Sequence, residues 1–187
     1  MPTASSTVPV AVDTTAPGEA IDATALLQAG LAKLEPGYHF TSVASVNGTP
    51  TVTADGDRIG AAGRYEVTTN GALVRYITTG TATYVQPDGG EWDKLGSDAP
   101  VSDPVKALAA PASITVVSQD GSAVRLKVSV SAAALGVGTS GEADMEVALT
   151  DGAITEIGYT TTVDGNVGSV ATTIGPVEDS SPIVAPI

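Results

Sequence analysis

The spacing of hydrophobic positions along this chain changes once. Ala20, Ala23, Leu27, Leu31 and Leu34 recur at helical spacing, with Leu26 and Gly30 beside them, and Pro36 and Gly37 follow. That predicts one amphipathic helix ended by its own breakers. Beyond it the period is two. In "AVRLKVSV", Val124, Leu126, Val128 and Val130 alternate with Arg125, Lys127 and Ser129. In "ADMEVALT", Met145, Val147 and Leu149 alternate with Asp144 and Glu146. Alternation of this kind predicts half-buried antiparallel strands.

The turn residues agree with a strand-rich chain. Asn or Asp precedes Gly at 47–48, 55–56, 70–71, 88–89, 120–121, 151–152 and 164–165, seven pairs in all. Such pairs supply the positive φ angles of tight hairpins, so they predict a meander. Their uneven spacing argues against equal repeats. A short helix is predicted in "DPVKALAAP", capped by Asp103, with Pro104 in its first turn and Pro111 closing it. A third helical turn is predicted from Ser131 to Gly136. The order of elements predicts the α+β class, an antiparallel sheet with helices packed on one face. One Phe, one Trp and five Tyr leave the core to Val, Ile, Leu, Ala and Thr. Side chains this small either pack tightly under the helices or leave an apolar cavity.

The two ends read differently. Residues 1–18, rich in Thr, Ser, Ala and Pro, hold too little apolar surface for a core and are expected to form a flexible tether. Residues 19–175 are expected to form a single domain. Residues 176–187 carry Pro176, Pro182 and Pro186, which prevent a central strand, and are expected to lie across its surface.

Charge and reactive residues narrow the function. Eight Lys and Arg stand against 21 Asp and Glu, a formal net charge of −13, and the basic residues are scattered. No electrostatic footprint for nucleic acid or for anionic headgroups results. There is no cysteine, and hence no thiolate nucleophile, disulfide or zinc cluster. No apolar run approaches the ~20 residues that cross a bilayer as a helix. The start of the chain lacks the basic and apolar regions of a signal peptide. "GTSGE", Gly138 to Glu142, has the wrong order for a nucleophile elbow and reads as a turn. His39, between Tyr38 and Phe40, reads as a surface or satisfied histidine. Asp55 with Asp57, and Glu178 with Asp179, lack a calcium-loop register and read as solvated turns. Asn47-Gly48-Thr49 matches a glycosylation sequon, yet Asn-Gly there is accounted for by a hairpin. No enzyme, cofactor or metal site is expected.

One longer stretch is more specific. "GRYEVTTNGALVRYITTGTATYVQPDGGEWDKL" ends a strand at Val85, turns through Pro87, Asp88, Gly89 and Gly90, and returns with Trp92 and Leu95 ahead of the short helix. Taken with the preceding amphipathic helix, it resembles the envelope lipid-carrier lipoproteins of actinobacteria, the LppX and LprG group, which share the LolA-like fold. The resemblance runs from Ala20 to about Gly175. It implies a curved antiparallel half-barrel whose concave face is covered by helices, with lipid or lipoglycan acyl chains held between the layers. It also implies a monomer tethered in the cell envelope through a lipid anchor absent from this chain, because the expected lipobox cysteine is missing and Met1 reads as an artificial start. The implied apolar lining is Leu27 and Leu31 on the helix, facing Val124, Leu126, Val128, Val130, Met145, Val147 and Leu149 on the sheet. The alternative is a noncatalytic envelope interaction domain whose core is closed by its own side chains. Trp92 is expected to brace the hairpin against the short helix, away from any reactive site. Deleting residues 1–18 should leave the thermal unfolding midpoint nearly unchanged; a large drop would make that segment an integral part of the fold.

Overall fold

Asp22 starts the one long helix. Its carboxylate accepts the backbone N–H groups of Thr24 and Ala25 at 3.0 Å each, which satisfies two donors that have no partner within the helix. Helix α1 then runs Ala23–Leu34, and Gly37 turns the chain into β1, Tyr38–Val46. The computed structural model describes residues 21–95, 104–136, 140–163 and 165–187. After β1 come β2 (Thr49–Ile59), β3 (Ala62–Thr69), β4 (Ala72–Thr78), β5 (Thr83–Pro87) and β6 (Asp93–Leu95). Helix α2 (Pro104–Ala107) precedes β7 (Ser113–Asp120) and β8 (Ala123–Ser131). A 3-10 turn at Ala132–Leu135 then leads to β9 (Glu142–Thr150), β10 (Ala153–Val163) and β11 (Asn166–Gly175).

All eleven strands form one antiparallel sheet in the order β6-β5-β4-β3-β2-β1-β11-β10-β9-β8-β7. Two meanders, β1 to β6 and β7 to β11, are joined at the centre where β1 pairs with β11 from His39 opposite Gly175 to Val46 opposite Gly168. Strands β6 and β7 are consecutive in sequence yet form opposite edges.

The expectation of a sheet-dominated chain with helical cover therefore holds in its coarse form. The sheet is open and uncurled, not bent into a half-barrel. Curvature in antiparallel sheets is made by bulges and glycine kinks. Register shifts occur in only three of the ten strand pairings, at Ala44/Ser45, Val116/Ser118 and Ile154/Glu156. Helix content is also small. The predicted second helix is one turn, continued only by the i→i−3 bonds of Leu108 N–H to Val105 and Ala109 N–H to Lys106, because Pro111 has no donor to extend it. Its proposed cap, Asp103, lies outside the described residues.

Strand register assigns every side chain to one of two faces. On the inner face Val124, Leu126, Val128 and Val130 of β8 sit beside Leu149, Val147, Met145 and Ala143 of β9. Ile154, Ile157 and Tyr159 of β10 continue the layer. Helix α1 lies across this half, against β10 and β7. The approach is close at Gly30, where a Cβ would stand 2.9 Å from Ile154 Cγ1. Leu27, Leu34 and Leu108 complete the core, with Leu31 partly buried against it.

Beyond β1 the inner face changes character. Ala54, Tyr65, Val67, Val74, Tyr76 and Val85 are half-buried. Aromatic rings run across this wing: Tyr38 to Phe40 at 6.4 Å, Phe40 to Tyr65 at 6.0 Å, and Tyr65 stacked on Tyr76 at 5.1 Å. Phe40, Gly56, Tyr65 and Tyr76 are direct cross-strand neighbours.

Most of the predicted Asn-Gly and Asp-Gly hairpins are present. Both residues have positive φ at Asn47-Gly48, Asn70-Gly71 and Asp151-Gly152. Asp55-Gly56 is an exception, since it lies inside β2, and the turn to β3 is made at Gly60, with φ 56°. Gly56 is needed where it is because β3 passes close to it at Arg64 and Tyr65. A Cβ there would come within 2.4 Å of Tyr65 Cβ and 2.3 Å of the Arg64 carbonyl oxygen. Replacing Gly56 by Ala should cost about 1–3 kcal/mol or more in a urea unfolding experiment, because the obstructing atoms are largely backbone. A loss below half a kcal/mol would show that β2 and β3 separate without strain.

Candidate functional site

The wing is charged on its outer face. Alternation along the strands places two cross-strand rows there. One is Thr41, Asp55, Glu66, Arg75 and Gln86; beside it run His39, Asp57, Arg64, Ile77, Tyr84 and Lys94. The C-terminal residues Glu178 and Asp179 lie over one end of these rows. Trp92 lies at the other end, and the groove between them has a volume of about 500 Å³.

Asp57 fixes the closed end. It is 5% exposed and accepts four contacts. The backbone N–H groups of Glu178 and Asp179 donate to it at 2.9 and 3.2 Å, and His39 Nδ1 stands at 3.2 Å. Arg64 Nε is 3.6 Å away. Burial alone would raise its pKa. The two backbone N–H groups, the hydrogen bond to His39 and the charge of that ring outweigh burial and hold the carboxyl below its usual 3.8. Arg64 holds the tail a second time, through Nη1 to Asp179 Oδ2 at 2.8 Å and Nη2 to the Asp179 carbonyl oxygen. Asp179 also accepts from the hydroxyl and the N–H of Ser181, which lower its pKa together with Arg64. Glu178 and Asp179 are thus docked against β2 and β3, pinned by a buried carboxylate.

His39, its side chain 13% exposed, is held among three carboxylates: Asp57 on Nδ1, with Asp55 at 3.4 Å and Glu178 at 3.7 Å from Nε2. It is a satisfied histidine, with both ring nitrogens facing carboxylate oxygens. Further along the groove, Arg75 Nε donates to Glu66 Oε1 at 2.8 Å, and Thr41 Oγ1 donates to Asp55 Oδ2 at 2.9 Å.

This arrangement revises two readings. Asp55 and Asp57 are on a strand, not in a solvated turn, and folding brings them together with Glu178 and Asp179, more than a hundred residues away. Among the described residues no group of three or more His, Asp or Glu side chains has the geometry of a metal site. Trp92 was expected to serve only as a brace; it lines a groove with five carboxylates, Asp55, Asp57, Glu66, Glu178 and Asp179. The sequence signal for this site was the alternation "TADGDRI" and "GRYEVTT", whose polar positions fall in register only after the strands pair.

The nine residues read as an apolar lining are all on the opposite face. Val124, Leu126, Val128, Val130, Met145, Val147, Leu149 and Leu27 are in the buried core, and Leu31 packs at its margin. No protein-family model and no curated protein matches this chain.

Replacing Asp57 by Ala should loosen the C-terminal segment, measured as faster proteolytic trimming once the N–H groups of Glu178 and Asp179 lose their acceptor, and should cost about 2 kcal/mol because hydrogen bonds to a charged acceptor are lost. The pH dependence has a defined sign. Since the folded pKa lies below 3.8, the contribution of Asp57 is complete above that value and is lost as pH falls below it toward the folded pKa. Docking that was unchanged on lowering the pH from 5 to well below 3.8 would contradict this assignment.

Proposed function

We propose that the chain is a noncatalytic carrier that binds lipid or lipoglycan acyl chains on the inner face of its sheet, in a cell envelope, with a lipid anchor outside this chain holding it to the membrane. The observation that carries the reading is the half-exposed apolar face of the wing, continuous with the buried core. Phe40, Tyr65, Val67, Val74, Tyr76 and Val85 offer aromatic and branched surface beside helix-covered strands. Each CH₂ moved from water onto such a surface contributes roughly 0.8 kcal/mol. In this reading Leu27, Leu31 and the seven core residues of β8 and β9 form the closed end of the site. The wing is its open end, and the sheet curls into the half-barrel around the ligand. A carrier needs an apolar surface and a mouth, and no reactive group.

Organic extraction of the purified protein followed by mass spectrometry should recover acyl lipid. A fluorescent fatty-acid probe should bind, and Val67→Glu should weaken it by roughly tenfold or more, ~1.4 kcal/mol, with little change in melting because the position is half-exposed. Leu126→Trp should instead lower stability by about 1–3 kcal/mol, since that site is fully buried. If the extract holds no lipid and the wild type binds no probe, the chain is better read as an interaction domain closed by its own side chains.

A further inference from the structure

The charged side chains of the outer groove are separate from the acyl surface proposed above, because the strand register puts Asp55, Asp57, Arg64, Glu66 and Arg75 on the opposite face of the sheet, although Gly56, Tyr65 and Tyr76 border the groove as well. Asp55 and Glu66 are direct cross-strand neighbours, and like charges placed opposite one another destabilise a sheet. Each is partly compensated, Asp55 by Thr41 and His39 and Glu66 by Arg75. The result is a set of acceptors and donors in alternation, with the chain's one tryptophan beside it.

Three ligand classes can be compared against this lining. An anion meets five carboxylates and two guanidinium groups, so the net charge opposes it. A cation meets the carboxylates favourably, but the guanidinium groups of Arg64 and Arg75 stand among them and oppose its entry. A neutral polyhydroxylated ligand pays neither penalty. Its hydroxyls donate to carboxylates and accept from guanidinium, and its apolar C–H face stacks on an aromatic ring. Glu66, 53% exposed, and Arg75, 42% exposed, are open enough to rearrange their hydrogen bonds onto a ligand. We propose that this groove is a binding site for a neutral carbohydrate, with Trp92 as the stacking platform, Glu66 and Asp55 as hydroxyl acceptors and Arg75 as donor. The tail at Glu178 and Asp179 closes one end and limits the site to a few sugar units.

The single tryptophan makes the groove its own reporter. The wild-type chain is titrated with maltotriose, cellotriose and a linear mannotriose while Trp92 emission is followed, and heats of binding are measured in parallel. At least one trisaccharide should give a saturable change in emission. Calorimetry should show binding weakened roughly tenfold or more, ~1.4 kcal/mol, in Trp92→Ala and several-fold in Glu66→Gln. Arg125→Ala, on the outer face of β8 far from the groove, should bind like the wild type. Urea midpoints of all variants establish that they fold. Should Trp92→Ala not fold, Glu66→Gln at an exposed position decides the question alone. The proposal is overturned if none of the three sugars binds, if Glu66→Gln binds as well as the wild type, or if a tetralysine peptide outcompetes the sugar for the groove.

Discussion

A twelve-residue helix is about 18 Å long, whereas eleven strands spaced ~4.8 Å apart make a sheet ~48 Å across. Helix α1 therefore covers only part of one face, and the rest of the architecture follows from where it sits. It lies over the strands of the second meander, where Leu126, Met145 and Val147 are wholly buried. The first meander has to be stabilised by other means. It uses cross-strand ring contacts on the inner face, ion pairs on the outer face and the strap formed by the C-terminal segment. The hydrogen bond between Ser42 and Thr172, at 2.9 Å, lies where the two halves meet. Beside that polar pair, Phe40 opposite Ile174 carries the apolar layer of the core on into the half-exposed wing.

What could be read from the sequence follows the range of the interactions involved. The α1 pattern, the alternation in β8 and β9, the Asn-Gly hairpins and the turn at Ala132–Leu135 are set by neighbours within a few residues, and they were legible. Asp55-Gly56 misled because a hairpin signal is local, whereas the demand for glycine at 56 comes from Arg64 and Tyr65 on the neighbouring strand. The groove was illegible for the same reason. Asp57 meets Glu178 and Asp179 only when β1 has paired with both β2 and β11. The sheet's lack of curl was equally hidden, since curvature depends on how many register irregularities accumulate over ten pairings.

The two halves of the outer face show how a charged surface differs from an organised site. On β8 and β9, Lys127 pairs with Asp144 at 2.7 Å and Ser129 donates to Glu142 and Asp144 at 3.0 Å. The ion pair is an exposed contact of the kind that contributes little, and the buried Ser129 hydroxyl is satisfied by two carboxylates that themselves organise nothing further. On the wing, by contrast, a buried carboxylate organises a histidine, an arginine and two backbone N–H groups. Truncating one partner of such a set leaves others buried and unpaired, so its members act together and hold the groove's end rigid.

Gly56 links the wing's two faces. Its own position faces inward, between Phe40 and Tyr65 in the strand register, while its neighbours Asp55 and Asp57 point outward into the groove. Because side chains alternate with a period of two, a slip of one residue between β2 and β3 would move the aromatic row into the charged groove and the carboxylates onto the apolar face. Neither exchange is tolerable, since one exposes stacked rings and the other buries unpaired charge. The apolar surface and the polar groove thus enforce one another's register. The same few strands thus carry both surfaces, and the β2–β3 register that sets one sets the other.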